Sequence, residues 1–357
     1  MRRLRKIFAV SVLAAATVAG AATGASAQAK KSFKVAWSIY AGWMPWGYAD
    51  SHGIVKKWAD KYGIAIEVRQ FNDYVESVNQ YTAGAFDAVT LTNMDGLSIP
   101  AAGGGDTTAV IVGYFSNGND AVILKDKPDL ASIAGQGINL VEFSVSHYLL
   151  ARALDSVKLK ERDVKVVNTS DADIVGAFET PTVTATVTWN PLVSTILSNP
   201  KARKVFDSSQ IPGEIIDLMV AKTSVLKDNP NFGKALAGIW YETVALTVAQ
   251  TKEGEAARAE MGRASGTDLA GFDAQLAATK LFDKPADAVA FTTSPSLATT
   301  MDLVRNFLFS KNLLGNGAPS ADVIGIELPG GKILGTPGNV KLRFTDTYMR
   351  AAAEGAL

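Results

Sequence analysis

The chain has 357 residues, with 35 Lys+Arg set against 35 Asp+Glu, two histidines and no cysteine. That composition excludes disulfides, thiol catalysis and thiolate metal sites, and with only His52 and His147 available it leaves no histidine metal cluster, so neither metal nor cofactor is expected. The balanced charge hides an asymmetry: four basic residues and no acid lie in the first 27, which leaves 31 Lys+Arg against 35 Asp+Glu, a net charge of −4 that argues against nucleic acid or an anionic membrane as partner.

Residues 1–27 have the build of a secretory signal peptide. A basic start (Arg2, Arg3, Arg5, Lys6) precedes an apolar run from Ile7 to about Ala22, and Ala25-Ser26-Ala27 ends it as a cleavage pattern. The run is rich in Ala and Gly and falls short of the roughly 20 strongly apolar residues of a membrane span. No cysteine follows to carry a lipid anchor, so the expectation is a freely diffusing exported monomer. The remaining ~330 residues exceed a single core and predict two domains.

Along the chain, FKVAWSI (33–39) alternates as a half-buried strand and runs into the loop YAGWMPWGY (40–48), dense in aromatic rings. A helix is predicted over 45–62, with Pro45 in its first turn and Gly63 as its stop, then a strand over 64–68. A helix over 74–83, a strand over 88–92, the loop Asn93-Met94-Asp95-Gly96 and a strand over 109–114 continue the alternation. A second series follows: strands over 121–124, 138–142, 164–167 and 183–188, helices over 144–156 and 171–178, and Trp189-Asn190-Pro191 opening another helix. A strand over 215–220 closes this second unit. From Pro230 the pattern is helical (232–249, 253–263, 268–279, 295–311), with a late apolar element at 340–344 and a last short helix. Strands alternating with helices predict an α/β fold with doubly wound, mainly parallel sheets. Ligands in such sheets sit beyond the carboxyl ends of strands, which singles out the loops 40–48, 93–96, 142–147 and 189–191.

The Gly-Trp-x-Pro loop after the first strand, TAGAFDAV (82–89), Asn-Met-Asp-Gly (93–96) and Thr-Trp-Asn-Pro (188–191) carry a family likeness over nearly all of the chain beyond the leader. The sequence resembles the nitrate/sulfonate/taurine-type substrate-binding proteins of ABC transporters. VTWNPL (187–192) and the ending NVKLRFTDTYMR (339–350) are similar to the branch associated with urea carboxylase, for which urea and guanidine are the implied solutes. The resemblance implies a two-lobe type II periplasmic binding fold with two hinge crossings, lobe one at 32–118 and 222–357 and lobe two at 119–221. It also implies a periplasmic location, ligand capture without catalysis, and ABC permease subunits as the membrane partner. One departure stands out: the family's Gly-x-x-Asp-Ala before the late strand reads Glu179-Thr-Pro-Thr-Val-Thr-Ala here.

Within the candidate loops no Lys or Arg occurs over 35–55, 88–124, 137–151 or 166–200. An anion is ordinarily held by Arg or by helix N-terminal amides, so this is a poor anion lining. Acids stand there instead, namely Asp95, Glu142 and Asp217, and a carboxylate enclosed without a base calls for a cation. Guanidinium needs carboxylates around its rim and aromatic faces above and below it.

Trp43 and Tyr40 either face the cleft or cap the first core, and Trp189 either faces the cleft from lobe two or packs on Pro191. Trp46 and Tyr48 are expected to hold the loop in place. Asp95, with Asn93 beside it, is a ligand residue or a turn-former; Glu142 is a ligand residue or a partner of the following helix dipole. Asp217, alone in an apolar strand, contacts ligand or bonds hinge backbone. Ser144 and Asn190 complete the set, Ser144 keeping open a taurine- or sulfonate-like anion at the helix start. A third reading, an enzyme resembling thiamine-pyrimidine synthases, lacks a nucleophile or histidine metal motif.

Overall fold

The computed structural model describes residues 30–315 and 317–357, and the leader expected at 1–27 lies outside them. The strands run in chain order as β1 (Ser32–Ser38), β2 (Ala65–Phe71), β3 (Ala88–Thr92), β4 (Thr107–Ser116), β5 (Asp120–Lys125), β6 (Gly137–Leu140) and β7 (Lys165–Asn168). They continue as β8 (Ala185–Trp189), β9 (Ala202–Asp207), β10 (Ile216–Lys222), β11 (Thr279–Leu281), β12 (Gly325–Glu327), β13 (Ile333–Leu334) and β14 (Val340–Phe344). Two sheets result. The first has the order β13-β12-β14-β4-β10-β3-β1-β2, with β11 also on β4, and the second has the order β7-β6-β8-β5-β9.

The α/β class and the two lobes follow the expectation, and the sheets are mixed rather than mainly parallel. β1 runs parallel to β2 and β3, and β6 to β7 and β8, as alternating strands and helices require. The strands that enter each lobe from the other insert the opposite way: β10 is antiparallel to both β3 and β4, and β5 to both β8 and β9. β10 therefore belongs to the first sheet, not to the second unit it was expected to close. The chain passes between lobes at residues 117–119 and again at 208–215. Hydrogen bonds tie these two crossings together, with Ser116 Oγ 2.6 Å from Ser208 Oγ and the Gly118 amide donating to the latter at 2.8 Å.

Local chemistry explains the helices that flank the cleft. Asp73 caps the helix Tyr74–Thr82 by accepting from the Glu76 amide, and Ser144 caps Val145–Ser156 by accepting from the Ser146 amide. The helix expected over 45–62 is two, Met44–Ser51 and Ile54–Lys61, because Gly53 between them adopts φ +74° and ends the first run. The strand β9 and the helix Pro285–Thr292 were not anticipated; the exposed, charged face of β9 (Ala-Arg-Lys-Val-Phe-Asp) blurs its alternation. Among the described residues no helix is long and apolar enough to cross a membrane.

Candidate ligand-binding site

The two crossings deliver the chemistry. Asp120 opens β5 directly after the first crossing, and Asp217 stands second in β10 directly after the other. Strand register sets Asp217 beside Thr92 on β3 and Tyr114 on β4, and Asp120 beside Trp189 on β8. Pairing thus places an acid next to an aromatic ring in each lobe, at the junction between them.

Two small cavities lie where these pairs meet, one on each side of the shared walls Trp43 and Asp217. The outer one is bounded by Tyr40, Trp43, Tyr74, Thr92, Ile215 and Asp217 of lobe one and its return crossing, and by Asp120, Val145 and Trp189 of lobe two. The inner one runs into lobe one between Trp46, Thr90, Ile111, Tyr114, Met219 and Trp240. Each has a volume of about 10 Å³, roughly the room of one water molecule. Aromatic rings wall the outer chamber at contact distance: Trp43 lies 5.2 Å from Tyr40 and 5.4 Å from Tyr74, and Tyr74 meets Trp189 edge-on at 5.7 Å across the lobes.

Polar atoms around these cavities are left without partners. Asp217 Oδ2, Asp95 Oδ1, Tyr40 OH, Tyr114 OH, Thr90 Oγ1 and Trp240 Nε1 are buried and accept or donate no hydrogen bond. Native interiors leave few such groups, so their gathering here makes these cavities the candidate ligand site. Neither chamber is lined by Lys, Arg or His. Burial pushes Asp120 up to about 7, with the charge of Asp95 adding to it. Burial pushes Asp95 up to about 6 against the lowering effect of its hydrogen bonds from Tyr74 and Thr92. Asp217 is raised well above the carboxylate range by burial and then by the charges of Asp120 and Asp95. A cation among these three acids would offset the burial and the mutual repulsion and lower each of these pKa values.

Of the residues expected from sequence, Tyr40, Trp43, Trp189 and Asp217 line the cavities. Asp95 stands one layer behind: its Oδ2 accepts from Tyr74 OH at 2.6 Å and Thr92 Oγ1 at 2.8 Å, and Tyr74 and Thr92 face the outer chamber in its place. Asn93 does not reach it. Its amide donates to the Glu214 carbonyl at 3.1 Å and accepts from the Ile216 amide at 3.1 Å, which holds the return crossing. Asn190 is spent likewise, donating to Asn119 Oδ1 at 2.8 Å and accepting from Ser194. Ser144 is a helix cap whose hydroxyl donates to the Val141 carbonyl at 2.8 Å.

Glu142 lies past the end of β6, on an open acidic groove with Asp73, Glu76 and Asp171 at the mouth between the lobes. There Asp171 of lobe two accepts from the Tyr74 amide of lobe one at 3.2 Å. Trp46 combines loop packing with cavity lining, its ring 5.9 Å from Trp240. Asp120, Tyr74, Tyr114 and Trp240 were missed; Asp120 alone had a legible signal, as an acid in a base-free segment at a lobe crossing. A wider groove of about 390 Å³, bounded by Arg152, Lys160, Glu161 and Lys311, lies away from these acids and rings.

Gly42 of the aromatic loop has a steric reason: a Cβ there would fall on the Tyr114 ring. Gly42→Ala is expected to destabilise by about 1–3 kcal/mol through overpacking, read from urea unfolding. An unchanged midpoint would show that the ring yields freely.

Comparisons with known proteins agree with this architecture. The alkanesulfonate-binding protein SsuA of Xanthomonas axonopodis pv. citri, solved bound to MOPS, has TM-score 0.64 at 16% identity, over 80% of this chain and 94% of that one. The aliphatic sulphonate binding protein SsuA of Escherichia coli gives 0.65 at 18% over 80% and 94%, and the nitrate-binding protein NrtA of Synechocystis PCC 6803 gives 0.56 at 10% over 92% and 99%. A putative binding protein of Brucella abortus is 24% identical over 184 residues, 50% of this chain and 56% of that protein, so the chain spans about half the length of the curated relatives it matches. The NMT1-like family matches residues 36–261, well over half of the sequence, and with the two-lobe fold in place the chain belongs to that family.

Proposed function

We propose that the protein captures a small planar nitrogen compound, guanidinium in preference to urea, between its two lobes and delivers it to the permease of an ABC importer. The observation that carries this reading is the pair Asp120 and Asp217, two buried acids from opposite lobes that line one aromatic cavity with no base among its walls. Guanidinium offers N–H donors around its whole rim and no acceptor, which suits carboxylates at the edge and the faces of Trp43, Tyr40 or Tyr74 above and below. Urea presents a carbonyl as well and would need a donor, which the unpaired hydroxyl of Tyr40 could supply. Four heavy atoms need more room than either chamber offers here, so the bound form holds the outer chamber wider than this structure does, and the ligand favours closure around it through contacts made with both lobes. The leader expected at 1–27 and the periplasmic proteins that share the fold support capture in the periplasm.

A second reading has one observation in its favour, the likeness of fold to two sulfonate-binding proteins. A taurine- or alkanesulfonate-type anion among three acids would have to take up protons to be held. A thermal-shift panel on residues 28–357 with guanidinium chloride, urea, taurine and nitrate separates the two, at millimolar ligand with matched sodium chloride. Ligand at about 100 times its Kd adds roughly 2.7 kcal/mol. A rise in Tm with guanidinium supports the proposal; a rise with taurine and none with guanidinium overturns it.

A further inference from the structure

Capture of a bare planar cation uses the outer chamber, which already combines Asp120, Asp217 and the rings, and leaves the inner chamber without a role. That chamber has the size of a single heavy atom with its hydrogens, yet four of its walls carry buried polar atoms without partners: Thr90 Oγ1, Tyr114 OH, Asp217 Oδ2 and Trp240 Nε1. Their chemistry is mixed. An indole N–H only donates, an ionised carboxylate only accepts, and the two hydroxyls do either. The atom that satisfies such a set must both donate and accept. A water meets that requirement, and so does a terminal amino or hydroxyl group; a methyl group does neither. Backbone spacing keeps the chamber short, since a Cβ at Gly113 would meet the Trp240 ring at 2.8 Å, and Trp46 and Met219 close the remaining walls.

We propose that the inner chamber is a one-atom subsite for a polar substituent on one nitrogen of the bound cation, occupied by water when the solute is guanidinium itself. The solute class then extends to N-amino- and N-hydroxyguanidines and excludes N-alkyl ones. This inference rests on the cation reading above and adds to it the direction in which the ligand is allowed to grow: into lobe one, past Asp217, under Trp240.

Aminoguanidine and methylguanidine test it cleanly, because both are cations at pH 7 and differ only in an NH₂ or CH₃ of nearly the same size. Titration calorimetry on the full mature chain with guanidinium chloride, aminoguanidine and methylguanidine is expected to show aminoguanidine bound at least about tenfold more tightly than methylguanidine, since the methyl leaves buried donors and acceptors unpaired. Trp240→Phe and, independently, Thr90→Val remove one polar wall each and are expected to narrow that ratio to about threefold or less. Guanidinium binding with equal affinities for the two derivatives, or a ratio unchanged in both variants, would overturn the subsite alone. No binding by any of the three cations would overturn the functional reading and the subsite with it.

Discussion

Asp217→Asn lowers the affinity for guanidinium by roughly a hundredfold or more and, in the ligand-free protein, raises Tm above that of the parent at pH 8. Both effects have one cause. Asp217 is 3% exposed, its Oδ2 has no partner, and no base lines the cavity it enters. Removing one member of a desolvated charge pair typically costs 2–5 kcal/mol or more of binding. Without ligand the same carboxylate is a liability, because burial and its neighbours Asp120 and Asp95 raise its pKa in the folded protein. A group raised on folding contributes stability that is present at low pH and lost as pH rises through its folded value. The amide does not titrate, so the advantage of Asn is expected to grow with pH and to vanish near pH 4. Calorimetric affinity and thermal unfolding at several pH values read the two effects separately. A variant that binds guanidinium within about threefold of the parent would remove Asp217 from the site.

Guanidinium binding is expected to release protons and to strengthen by about tenfold or more between pH 5.5 and 7.5. Asp95 and Asp120, held near 6 and 7 by burial, are partly protonated in the free protein through this window. The cation remains charged throughout, so it must drive those protons off. Each proton released contributes up to tenfold per pH unit, and Asp217, also raised by burial, adds its own proton to the count. An anionic solute follows the opposite course, binding with proton uptake and weakening as pH rises. Calorimetry in two buffers of different ionisation enthalpy counts the protons directly. Net uptake on guanidinium binding would contradict the arrangement of acids described above. In the unliganded protein the same two acids carry a matching signature: stability falls as pH rises from about 4 towards 7, because the folded state holds protons that the unfolded chain has given up.

The spread between what was readable and what was not has a physical pattern. Trp43 and Tyr40 were legible because large rings in a Gly- and Pro-containing loop have no strand face to join, Trp189 because it ends a strand just before Asn-Pro, and Asp217 because an acid within an apolar strand needs a reason. Asn93, Asn190 and Ser144 share the same kind of position and were read the same way, but amides and hydroxyls serve backbone as readily as ligand. Their hydrogen bonds to Ile216, Ser194 and Ser146 decide the matter for structure. Tyr74 and Trp240 sit on helices with ordinary apolar spacing, where a cavity-facing ring and a core-facing ring look alike in sequence. Their roles appear only when β10 brings Asp217 in front of them.

By itself, the amino-acid sequence determined the alternation of strands and helices, and with it the α/β class. It also determined the absence of bases from the candidate loops at 35–55, 88–124, 137–151 and 166–200, because periodicity and composition are local properties that need no partner to be read. Tertiary structure alone decided which sheet β10 joins and the antiparallel sense of the two crossing strands. It also set Asp120 beside Trp189 and Asp217 beside Tyr114, and with them the convergence of these two acids on the buried Asp95. Strand order and register arise from pairings between residues far apart in the chain, Asp120 with Trp189 and Asp217 with Tyr114 and Thr92. The energy of those pairings lies in the sheet and in the burial it creates, and no single segment carries it.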